Sequence, residues 1–139
     1  MKTGSRQAVL TYAAEKWQTM PDYPFEEDFV TAVLRHSDSR KWYGIIINVS
    51  YAKLGIPKEG NTDILNLKCD PIISGALIAE GKALPAYHMN KEHWISILLD
   101  SSITMDELAF LIDMSYRLVD QKGRKSSSSF TISLVSSRI

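Results

Sequence analysis

Nine residues, DILNLKCDP from Asp63 to Pro71, constrain the fold of this chain more than any other stretch. Leu65, Leu67 and Cys69 alternate with Ile64, Asn66 and Lys68, the period of two that a strand with one cleanly apolar face requires. Asp70-Pro71 then ends the strand and opens a helix. An aspartate side chain accepts from the first free N–H groups, and proline at the first helical position gives up a donor that has no partner there anyway. Ile72, Ile73, Ala76, Leu77 and Ala79 follow as an apolar face, and Gly81 is a stop. A strand that passes straight into such a helix calls for a sheet with helices laid against it.

The last helix carries the clearest local signature. Thr104 and Glu107 are spaced for a capping box, in which each side chain bonds the other's backbone N–H. Ile103 and Leu108 fit the accompanying hydrophobic staple. Leu108, Leu111, Ile112, Ser115, Leu118 and Val119 share one face, and Gly123 can end the helix. Upstream, Ser5 caps a helix that runs to Trp17, with Val9, Tyr12, Ala13 and Trp17 at helical spacing, before Pro21 and Pro24 break it. Phe29 to Arg35 and Lys41 to Ser50 read as strands about the turn HSDSR, and the near-continuous apolarity of the second suggests a central position. Tyr51 to Asn61, with Gly55, Pro57 and Gly60, reads as a loop. LPAYHM and HWISILL read as two more strands about Asn90-Lys91. The predicted order is α-β-β-β-α-β-β-α: an α+β fold with a mostly antiparallel five-stranded sheet and helices packed on one face.

A chain of 139 residues is the size of one domain, expected over residues 1–123 with a Ser-rich tail at 124–139. Sixteen basic residues balance sixteen acidic ones, which speaks against a broadly basic nucleic-acid surface but leaves room for a local patch. Cys69 is the sole cysteine, so no internal disulfide can form and a reducing compartment fits. The N-terminus has no secretory h-region, and the longest apolar run, Gly44 to Val49, is far short of the roughly 20 residues of a membrane span. A cytoplasmic monomer without a membrane partner or cofactor is expected. There is no glycine-rich phosphate loop, CxxC or HExxH, and no catalytic constellation that would mark an enzyme.

PAYHMNKEHW (Pro85 to Trp94), LLD (Leu98 to Asp100), LNLKCDP (Leu65 to Pro71) and SYRLV (Ser115 to Val119) together resemble the MmcQ/YjbR family. The likeness is strongest from Leu65 to Val119. It implies a frataxin-like or secretion-chaperone-like fold and a "double-wing" DNA-binding role, and it brings no catalytic residues. The wings would be the hairpins holding HSDSR and MNKE, with Arg35, Arg40, Lys41 and Lys91 as phosphate contacts. The KGRK cluster adds Arg124 and Lys125, although basic residues at a helix C-terminus also serve the helix dipole.

The densest chemistry lies in AYHMNKEHW. If Asn90-Lys91 form a tight turn, His88 faces His93 with Cβ atoms about 5 Å apart, and Tyr87 pairs with Trp94 on the other face. Three readings follow. His88 and His93 can be hydrogen-bonded packing residues with Asn90 in the left-handed turn position. They can be half of a metal site, but neither His36 nor Cys69 has a reason to complete it. Or His88, Asn90, His93 and Trp94 line a ligand site, with Lys91 on a phosphate and Trp94 or Tyr87 as a stacking surface. The first has the stronger claim. The function expected is a DNA-binding module without catalytic activity; the alternative is a protein- or small-ligand-binding domain.

Overall fold

The structure, a computed structural model, describes residues 4–120. Its elements are α1 (Arg6–Trp17), β1 (Ala32–Arg35), β2 (Trp42–Ser50), a 3-10 turn (Ala52–Leu54), β3 (Asn61–Lys68), α2 (Pro71–Ala79), β4 (Ala83–Pro85), β5 (Trp94–Leu98) and α3 (Met105–Val119). The order is the expected α-β-β-β-α-β-β-α. The strands form one sheet, β1-β2-β3-β5-β4, antiparallel at every pairing.

Local chemistry builds the helices as the sequence implies. The Ser5 hydroxyl accepts from the Ala8 N–H and Asp70 accepts from Ile72. Thr104 and Glu107 complete the capping box in both directions, over fully buried Ile103 and Leu108. Gly81 takes φ +77°, the left-handed conformation that stops α2. One face of the sheet, through Leu34, Ile46, Leu65, Leu67, Ile95 and Ile97, joins α1 and α3 in the main core. The opposite face carries a smaller cluster of Val49, Ile64 and Leu98, covered by Leu54 of the 3-10 turn, Ile56 and Tyr87 rather than by an α-helix.

A β-bulge sits where β1 meets β2. Leu34 pairs with Gly44 and Arg35 with Trp42, which leaves Tyr43 as the extra residue. Tyr43 turns into the helix-side core, fully buried, and its hydroxyl meets Thr19 at 2.5 Å. The register that pairs Gly44 with Leu67 places Tyr43 opposite Lys68. The hydroxyl of Ser115 on α3 stands between them, donating to the Tyr43 carbonyl at 2.6 Å and accepting from the Lys68 N–H at 2.9 Å.

Several boundaries differ from the sequence reading. β1 begins at Ala32, not Phe29, because Asp28 ties the backbone into a turn through the Val30 and Thr31 N–H groups and leaves Phe29 83% exposed. β2 starts at Trp42 and β3 spans Asn61–Lys68, one residue short of Cys69. In α2 only Leu77 is buried and Ile72 is 83% exposed, so the helix does not bury the apolar face expected of it. α3 ends at Val119; its expected stop at Gly123 and the Ser-rich tail lie outside the described residues.

Candidate functional site

The strand order brings three connections to one end of the sheet: the β1–β2 tip (36–41), the β3–α2 junction (69–70) and the β4–β5 loop (86–93). The β1–β2 tip is held from below. His36 is buried and stacks on Tyr116 with ring centroids 4.1 Å apart; Tyr116 stacks in turn on Trp17 at 3.8 Å. The His36 Nδ1 accepts from the Asp38 N–H at 3.1 Å, and the Ser37 hydroxyl meets that of Tyr116 at 2.7 Å. Arg40 completes the turn at φ +65°.

The β4–β5 loop overturns the expected hairpin. β4 ends at Pro85 and β5 begins at Trp94, and the register pairs Pro85 with Ile95. That is one residue away from the register that would set His88 against His93, and one residue reverses a side chain's face. The cause is not local. Asn66 on β3 and Ser96 on β5 are fully buried and reach out to the loop. Asn66 Nδ2 donates to the Tyr87 carbonyl at 3.0 Å, the Ser96 hydroxyl donates to Asn66 Oδ1 at 2.5 Å, and the Tyr87 N–H donates to Ser96 Oγ at 2.8 Å. The loop is thereby folded back on the face away from the helices. His88, not Asn90, takes the left-handed conformation, at φ +62°. Asn90 instead forms an Asx turn, its side-chain oxygen accepting from the Glu92 N–H at 2.7 Å.

The two histidines therefore serve different cavities. His93, with Lys91 and Trp94, lines a groove of about 520 Å³ against Pro71, Ser74, Gly75 and Ile78 of α2. His88 and Met89 line a cavity of about 340 Å³ on the opposite face, with Phe25, Trp42, Ile45, Ile47 and Asn66, and with Asp28 and Thr31 beside Phe25. The Phe25 and Trp42 rings meet edge to face, centroids 6.1 Å apart at 85°. Hydrogen bonds from the Thr31 N–H and hydroxyl and the Val30 N–H hold the Asp28 carboxyl below its usual pKa. Among the described residues no three His, Cys, Asp or Glu side chains converge as a metal centre would require. Cys69 is buried, and burial pushes its thiol pKa up.

The expected phosphate contacts divide. Arg35 is occupied: its Nε donates to Asp22 at 3.0 Å, and its guanidinium lies 5.7 Å from the centre of the Trp42 ring. Arg40 and Lys91 are exposed, Lys41 is partly so, and none of the three forms an ion pair with a described residue. Arg124 and Lys125 lie outside the described residues. Lys68, which sequence reasoning left as the polar side of a strand, belongs with this group. It too lacks a carboxylate partner among the described residues, and burial, with the charge of Lys41 next, lowers its pKa. A signal for it was present: its side chain alternates onto the same face as Asn66. Asp38, Asp70 and Glu92 stand in the same connections, so the basic character is local.

Three of the four strings that carry the family resemblance thus build this end of the sheet, with Asn66 and Lys68, Asp70, the loop 86–93, and Ser115 with Tyr116, whereas Leu98 to Asp100 lies at the other end of β5. Comparison with known proteins agrees. The family model described as YjbR matches residues 14–118. The uncharacterized protein YyaQ of Bacillus subtilis is 46% identical over 82% of this chain and 97% of its own length. The uncharacterized protein YjbR of Escherichia coli is 30% identical over 65% of this chain and 79% of its own length. A crystal structure of a Pseudomonas syringae protein, 40% identical, superposes with a TM-score of 0.77 over 82% of this chain and 97% of its own. A Deinococcus radiodurans protein at 23% identity shares the fold, with a TM-score of 0.63 over 89% of this chain and 84% of its own. With a family model spanning most of the described residues and a relative matched over nearly its whole length, the chain belongs to the YjbR family.

Proposed function

We propose that the domain is a binding module without catalytic activity that contacts nucleic-acid phosphates through the sheet end bearing the two loops. The observation that carries this reading is the placement of Arg40, Lys41 and Lys91 on connections at one end, beside Lys68 at the end of β3, without carboxylate partners among the described residues. The tip 36–41 and the loop 86–93 stand three strand spacings apart, about 14 Å. That is close to the ~12 Å width of the B-DNA major groove. Four phosphate contacts give a salt slope of about −3 to −4, or roughly a hundredfold loss of affinity between 50 and 200 mM salt. Fluorescence anisotropy with a labelled duplex tests it. A Lys41→Gln, Lys68→Gln double variant is expected to flatten the slope by about 2. Absence of duplex binding at low salt in the micromolar range overturns the reading.

A second reading, a protein-binding domain, is favoured by one observation. Met20, Tyr23, Phe25, Phe29 and Val30 are all exposed on the segment before β1. Such a patch suits a protein partner, whose binding would be insensitive to salt and weakened by Phe29→Ser.

A further inference from the structure

We infer that the cavity between Phe25, Trp42 and His88 accepts a single unpaired nucleobase while its phosphate rests on Lys41 and Lys68. This rests on the phosphate reading above and adds to it the form of nucleic acid that is bound. The cavity, about 340 Å³, lies at the small end of the range for ligand sites. Ile45 and Ile47 give it an apolar floor, and the perpendicular Phe25 and Trp42 rings give it aromatic walls on which a base can stack. Polar groups stand among them. The Asp28 carboxylate keeps acceptor capacity beyond its bonds from Val30 and Thr31, and the exposed His88 side chain makes no hydrogen bond with a described residue.

Two features distinguish this cavity from a simple packing defect. His88 is held at φ +62°, a conformation unfavourable for a residue with a Cβ, and strain of this kind gathers at ligand sites. The cations also adjoin it through the same strands. Lys41 precedes Trp42, and Lys68 follows Asn66 by two residues on the same face of β3. Two residues along a strand span about 6.6 Å. A base in the cavity thus has its own sugar-phosphate within reach of both lysines. A duplex, whose bases are stacked and paired, can use the lysines but cannot fill the cavity.

The test compares a short single strand with the same sequence as a duplex, by anisotropy at one low salt concentration, and adds a nucleoside monophosphate titration read by tryptophan fluorescence. The single strand is expected to bind about tenfold more tightly than the duplex. Ile47→Phe, which fills the cavity and leaves every cation in place, is expected to erase that advantage and leave duplex affinity unchanged. The monophosphate is expected to quench fluorescence saturably, and Trp42→Phe to diminish the quench. His88→Gly, which takes a ring off the rim and suits the backbone there, gives the same readout should Ile47→Phe fail to fold. Equal affinity for both forms, or a single-strand preference that survives both variants, overturns the base pocket and leaves the phosphate reading intact. Binding of neither form overturns both.

Discussion

Replacing Ser115 by alanine isolates one hydroxyl that joins a helix to two strands. In an exposed helix position Ser→Ala would stabilise by about 0.5 kcal/mol, because alanine is the better helix former. At Ser115 the opposite is expected. The residue is fully buried, and its hydroxyl satisfies both the Tyr43 carbonyl and the Lys68 N–H. Removing it orphans an acceptor and a donor away from water, at about 1–3 kcal/mol each. Relaxation of the strands toward one another recovers part of this, so the net loss is about 2 kcal/mol. In urea, with m of about 1.5 kcal/mol per molar, the midpoint should fall by about 1.3 M with m unchanged. An unchanged or raised midpoint would show that the hydroxyl bridge contributes nothing and that helix propensity alone governs the site.

Three further outcomes are expected. Stability should fall as pH rises from about 10 to 12. Burial, before any other cause, raises Tyr43 and Tyr12 to about 12 in the folded protein against 10.0 unfolded, so their contribution is complete below the unfolded value and lost through the folded one. Tyr43→Phe should reduce that alkaline loss in denaturation midpoints measured against pH. Asn66→Ala should release the 86–93 loop, seen as faster hydrogen exchange at the Tyr87 amide, which now donates to Ser96; exchange that stays slow would show that other contacts hold the loop. At His88 glycine should be better tolerated than alanine by about 1 kcal/mol in thermal or urea unfolding, since only glycine takes φ +62° without cost. The reverse ranking would refute strain at that position.

What could be read from the sequence was what depends on neighbours in the chain. The α3 capping box, the Asp70-Pro71 helix start and the strand alternation of Leu65 to Leu67 are local, and each stands where it was expected. The β4–β5 register is not local. Asn90-Lys91 has the composition of a two-residue turn, but Asn66 of β3, together with Ser96 of β5, holds the Tyr87 backbone one residue out of that register. The candidate site failed to be legible for the same reason: His88 and His93 are close in sequence and pair well on paper, yet they line cavities on opposite faces. α2 misled differently. Its apolar composition says nothing of how much partner surface exists: only Leu77 is buried, and Ile73 packs against the core while partly exposed. The alternation placed Lys68 on the face of Asn66, but only the pairing of β2 with β3 set the charge of Lys41, just before β2, near it.

The hydroxyl of Ser115 also sets where this chain can change length. It must meet a bulge in β2 and a backbone N–H in β3 at the same moment. One residue inserted or deleted between the Thr104 cap and Ser115 would turn the hydroxyl about 100° away from both. A lost residue at Tyr43 would remove the bulge that α3 is seated on. Changes in length should instead fall in the 3-10 segment and its loop at 51–60 and in the tips that carry no such joint. Homologous chains should therefore hold the Thr104-to-Ser115 interval fixed while those loops grow and shrink.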